Sequence, residues 1–111
     1  MALNWHAIRD DRFVKIDHDH YTDMCVRVYY SLGGPNVWTG AHTPRGYWIS
    51  VSPVKRGGGM IETCPMDGVK YLLKPVTRDT AKGEAYALTL AGNVENALIE
   101  KVCSNIGATV M

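Results

Sequence analysis

Between Arg45 and Lys74 apolar and polar positions alternate as in a β-meander, and of the five basic residues there Lys70 and Lys74 fall off the apolar parity of their strand. Successive side chains on a strand point to opposite sides, so one face of such a sheet can be buried while the other stays charged. Tyr47, Ile49 and Val51 share one side of a first strand, and Trp48, Ser50 and Ser52 share the other; after Gly68 the pattern returns in Val69, Tyr71 and Leu73. Upstream, Met24, Val26, Val28, Tyr30 and Leu32 form a longer run of one parity, with Cys25, Arg27, Tyr29 and Ser31 on the other. Arg12 to Ile16 is a shorter strand with Val14 and Ile16 on one side. The turn-forming stretch Asp17 to Asp23 has the length of a hairpin connection, so these two strands are expected to lie antiparallel.

Glycine and proline punctuate the remainder. Gly33 to Gly46 holds four glycines and two prolines and reads as loop, with Val37-Trp38-Thr39 as a short strand or bulged edge inside it. Pro53 stands near the end of the strand Tyr47 to Val54, where a missing amide is tolerable at an edge or a terminus. Lys55-Arg56-Gly57-Gly58-Gly59 is a turn, Met60 to Thr63 returns, and Cys64 to Gly68 turns again into the last strand, which ends at Val76. Leu3, Trp5 and Ile8 belong to a short helical turn or an irregular arm.

After Pro75 the period changes. Asp79 and Thr80 are good helix N-caps, and Ala87, Leu90, Ala91, Val94, Ala97, Leu98 and Val102 recur at spacings of three and four, one apolar stripe. A single helix of 26 residues would run about 39 Å, long for a small domain, so a break or kink at Gly92-Asn93 is expected, with Asn93 recapping and Gly107 ending the segment. Glu95, Glu100 and Lys101 are expected to stay in water. The pattern as a whole predicts one α+β domain over residues 1–111: an antiparallel sheet of four or five strands with a C-terminal helical segment, one kinked helix or two, packed on the face that carries Ile49, Val51, Val69, Tyr71 and Leu73.

Composition narrows the function classes. With 111 residues, 46% hydrophobic and 21% charged, the chain has ordinary globular values, and 12 basic against 11 acidic residues leave a formal charge of +1. Bulk charge therefore steers it towards neither nucleic acid nor an anionic membrane, and any such attraction must be local. No apolar run is long enough to cross a bilayer, and the first residues lack the pattern of a signal peptide. Cys25, Cys64 and Cys103 are odd in number, far apart and without a Cys-x-x-Cys pair, which argues for a reducing compartment, the cytosol.

Four constellations bear on chemistry. The helix-free sheet face would show Trp48, Ser50, Ser52, Lys70, Leu72 and Lys74, and an indole among Lys55, Arg56, Lys70 and Lys74 can stack a base while the cations meet phosphates. The same alternation of lysine also keeps an open sheet from pairing at its edges. His18 and His20 project to one side of an extended segment, but two imidazoles make no zinc site, and His6, His42, Cys64 and Cys103 show no ligand spacing. Cys64 before Pro65 has no cysteine-hydrolase surroundings, and the triple glycine lacks the Lys-Ser/Thr of a phosphate loop. The loop around Trp38, His42 and Arg45 has the residue types that dominate interfaces.

These readings predict a small non-enzymatic binding module with no cofactor, no metal and no catalytic residue. Its partner is expected to be nucleic acid or a protein that handles it, contacted through Trp38, Arg45, Trp48, Lys55, Arg56, Lys70 and Lys74. A protein-binding adaptor or inhibitor is the alternative, a metal-dependent enzyme on His18, His20 and His42 the remotest, and an uncovered sheet edge offers a second copy a template for a homodimer.

Overall fold

The structure, a computed structural model, describes residues 5–35, 40–57 and 60–111. Along them run β1 (Trp5–Ala7), β2 (Arg12–Asp17), β3 (Tyr21–Ser31), β4 (Gly34–Pro35), β5 (His42–Thr43), β6 (Gly46–Lys55), a 3-10 turn (Pro65–Asp67), β7 (Val69–Pro75), α1 (Ala81–Ile106) and β8 (Thr109–Val110). The fold is α+β: an antiparallel sheet in the order β7-β6-β3-β2-β8, with β1 also on β3, and one helix across it.

The longest alternating run in the sequence becomes the central strand. β3 pairs along its full length with β6, from Tyr21 opposite Lys55 to Ser31 opposite Gly46. Its other edge is shared, β2 taking the first half and β1 the second. Trp5 to Ala7 are therefore strand rather than helical turn or arm, because half of the β3 edge would otherwise be left without hydrogen-bond partners, and Leu3 lies outside the described residues. In place of a plain loop, the Gly33 to Gly46 region contains the two-stranded β4–β5 ladder. Val37 and Trp38 lie outside the described residues.

Two local features turn on single residues. Beyond Val51, which pairs with Val69, β7 has ended, and that side of β6 is taken over by the carbonyl of Pro53 accepting from the amide of Cys64 and by a Val54–Thr63 bridge. The missing amide of Pro53 faces this vacated side, so a proline is accommodated in a strand that is central for most of its length. Met60 to Thr63 returns only as far as that bridge and the bond from the Lys55 amide to Glu62, not as a strand. At the other end β7 carries an extra residue: Trp48 pairs with Leu72 while Tyr47 pairs with Lys74. Gly46 makes this bulge possible, since at its φ of 154° a Cβ would lie 2.3 Å from the Lys74 carbonyl oxygen.

α1 is one uninterrupted helix through Gly92 and Asn93, where the sequence suggested a break. Its length is accommodated because the molecule extends 41 Å along its longest axis. The Thr80 hydroxyl caps it by accepting from the Gly83 amide, and Gly107 ends it in the left-handed conformation at φ 73°. Ala91, Ile99 and Val102 bury against Val26, Val28, Ile49 and Val51, with Val69 and Leu73 packed around them, and Ala87 buries against Tyr30 and Tyr47. Tyr71, expected on this face with Ile49, stays 49% exposed near the sheet edge. Glu95 corrects a second expectation. Rather than standing in water it is 7% exposed, its two oxygens held by Arg9 at 2.6 Å and Arg12 at 2.9 Å. A buried carboxylate is tolerable where cations satisfy it, and here they tie the β1–β2 connection to the helix. No helix among the described residues is long and apolar enough to cross a membrane.

Candidate binding groove on the helix-free face

On the side of the sheet away from α1 lies a groove of about 450 Å³, whose walls include Trp5, Arg27, Tyr29, Trp48, Ser50, Ser52 and Lys70, with the β4–β5 ladder and Pro65 at its margins. Strand register explains this composition. Because paired residues share a face, Tyr29, Trp48 and Leu72 form one row across three strands, and Arg27, Ser50 and Lys70 form the next. The rows are two residues apart, about 6.6 Å along the strands. An aromatic row thus runs beside a cationic one. Trp5 stands edge-on to Tyr29, ring centroids 5.9 Å apart, and Trp48 is oriented by its indole N–H donating to the Pro44 carbonyl. Burial raises the Tyr29 phenol above its ordinary range, so it presents a neutral hydroxyl. Arg27 donates to Asp11 at 2.9 Å, whereas Lys70 is exposed and forms no ion pair among the described residues.

Of the residues singled out from sequence, Trp48 and Lys70 meet in this groove. Lys74 does not join them, because the β7 bulge places it opposite Tyr47. Lys55 lies eight residues along β6 from Tyr47, about 26 Å away, and pairs with Glu62 at 3.3 Å. Arg56 folds onto the carbonyls of His18, Asp19 and Tyr21, and Arg45 donates to those of Leu32 and Thr77. Both arginines staple backbone, and the expected single basic patch is divided between the two ends of the sheet. Trp38 lies outside the described residues. Sequence reasoning missed Trp5, Arg27 and Tyr29. The parity of β3 already set Arg27 and Tyr29 opposite the apolar side, while Trp5 gave no signal before β1 was seen to pair.

The other constellations resolve differently. His18 accepts the His20 amide at Nδ1 and donates from Nε2 to the Ile106 carbonyl, each at 2.9 Å, so both ring nitrogens are engaged in fastening the hairpin turn to the end of α1. His42 sits apart, in β5. Burial pushes the thiols of Cys25 and Cys103 up, keeping them protonated. A polar cluster that the sequence did not reveal forms where His6 meets Asp79 at 2.7 Å and Glu84 at 3.8 Å. Compared with known proteins, the chain matches no family model, no curated protein and no solved structure.

Proposed function

We propose that the protein is a small non-enzymatic binding module that holds single-stranded nucleic acid in the groove on its helix-free face. The observation that carries this reading is the adjacency of the two rows: a base stacked on Tyr29 and Trp48 has its phosphate within reach of Arg27 and Lys70. Stacking accepts any base, and serine hydroxyls at Ser50 and Ser52 add hydrogen bonding without demanding a sequence. With two cations rather than five at the groove, the logarithm of affinity should fall against the logarithm of salt with a slope of only about −1.4.

Fluorescence anisotropy with labelled homopolymer DNA and RNA strands tests this. Trp48→Ala should weaken binding by about 1–3 kcal/mol, and Lys70→Ala should flatten the salt slope by about 0.7. Lys55→Ala and Arg56→Ala should leave both unchanged. Absence of binding at low salt, or binding that ignores Trp48 and Lys70, would remove the reading.

A protein partner is the second reading, favoured by Met60, Ile61 and Met66, which stand 85%, 67% and 99% exposed. Capture that persists in high salt and fails in Ile61→Ser would favour it. A second copy pairing along β7 belongs to the same reading, although Lys70, Lys74 and Pro75 on that strand oppose edge-to-edge association.

A further inference from the structure

We propose that His6, Asp79 and Glu84 bind one divalent transition-metal ion of the zinc class where β1 meets the start of α1. Their donor atoms all lie within 4.8 Å of one another, with His6 Nε2 2.7 Å from Asp79 Oδ2 and 3.8 Å from Glu84 Oε2. A tetrahedral ion with bonds of about 2.0–2.2 Å holds its donors about 3.3–3.6 Å apart, a spacing those two distances bracket. One imidazole with two carboxylates suits zinc and its neighbours, whereas calcium and magnesium prefer all-oxygen sites.

Each donor is placed by a separate cause. His6 is set on the helix side of β1 by pairing opposite Tyr30, whose ring lies 5.7 Å from the imidazole. Asp79 is held through its other oxygen, Oδ1, which accepts from the buried Tyr47 hydroxyl at 2.7 Å and leaves Oδ2 for His6. An outer partner of this kind fixes a ligand's orientation. Glu84 occupies the first turn of α1, behind the Thr80 cap. The His6 side chain is 51% exposed, which leaves room for water to complete the coordination.

The charges also call for a cation. Two carboxylates facing one imidazole repel each other unless a proton or a metal ion lies between them. The positive end of the helix dipole, about half an elementary charge, offsets only part of that surplus. The cluster lies on the opposite side of β1 from the groove, so its occupancy is read independently of any ligand there.

The test is titration of the full chain with Zn²⁺ alone, followed by calorimetry, with elemental analysis after gel filtration. One zinc per chain is expected, with a raised melting temperature, and Mg²⁺ should produce neither. His6→Ala and Glu84→Gln should each weaken zinc binding by about tenfold or more, while His20→Ala and His42→Ala leave it unchanged. Because His6→Ala also removes the contact with Asp79, Co²⁺ substitution in the isosteric Glu84→Gln supplies a second readout: its visible ligand-field absorption should be lost while the circular dichroism is kept. No stoichiometric zinc, zinc retained equally by both variants, or zinc lost on replacing His20 or His42 would each overturn the assignment.

Discussion

On the side that α1 covers, β3 and β6 bury Val26, Val28, Ile49 and Val51 completely, whereas on the other side the same strands offer Arg27, Tyr29, Trp48 and Ser50 to a groove. Alternate residues of one strand thus serve separate ends. The covered parity supplies the apolar burial that offsets the entropy of folding. The open parity, released from that task, can carry rings, hydroxyls and cations. Neighbouring substitutions should therefore differ sharply. Ile49→Ala leaves a void under the helix and should cost about 2–5 kcal/mol, while Ser50→Ala, one residue away, should stay within about 0.5 kcal/mol. Urea unfolding of both variants measures the contrast, and a Ser50→Ala loss approaching that of Ile49→Ala would break it.

Glu95 is the exception on the covered side, and it sharpens the comparison. Removing it strands Arg9, only 23% exposed, beside the core. Glu95→Ala should cost about 1–3 kcal/mol, less than a fully buried pair because Arg12 is more than half in solvent. Glu100→Ala, on the exposed side of the same helix, should be neutral within about 0.5 kcal/mol. Equal effects would mean that the two arginines find water instead of the carboxylate.

How much of this was legible in the chain depends on how far each feature reaches. The alternation in Met24 to Tyr30 gave β3 its buried parity, and the Thr80 and Gly107 signals bounded α1, because strand period and helix caps act within a few residues. The β7 bulge was not legible, since the cause is a close approach between Gly46 and Lys74, distant in sequence, and it moved Lys74 off the face inferred for it. Glu95 looked like a solvent residue by type, and only the pairing of β1 and β2 on β3 brings Arg9 and Arg12 to it. The groove was legible by half: parity named Trp48 and Lys70, but charge alone grouped Lys55 and Arg56 with them. His6, Asp79 and Glu84 carry no motif, because their closeness is a product of topology.

The smallest expected effect lies at the seam between the two faces. Tyr21 begins β3, and its hydroxyl donates to Asp67 in the 3-10 turn at 2.5 Å, drawing in the segment whose Pro65 borders the groove. That bond to a carboxylate is the main cause that pushes the Tyr21 phenol up to about 12, from 10.0. A phenol whose pKa is higher in the folded chain than in the unfolded one holds its proton more tightly when folded. Its contribution is therefore complete below pH about 10 and is lost as the pH rises towards about 12. The site is open to solvent, so the bond should be worth under about 1 kcal/mol at neutral pH. Tyr21→Phe should accordingly melt slightly below the parent at pH 8, and the gap should close between pH 10 and 12. The other tyrosines are common to both proteins, so the difference between the two curves isolates Tyr21. A gap that stays constant or widens over that interval would show that Asp67 does not hold the phenolic proton, and that the turn beside the groove is fastened by its backbone bonds alone.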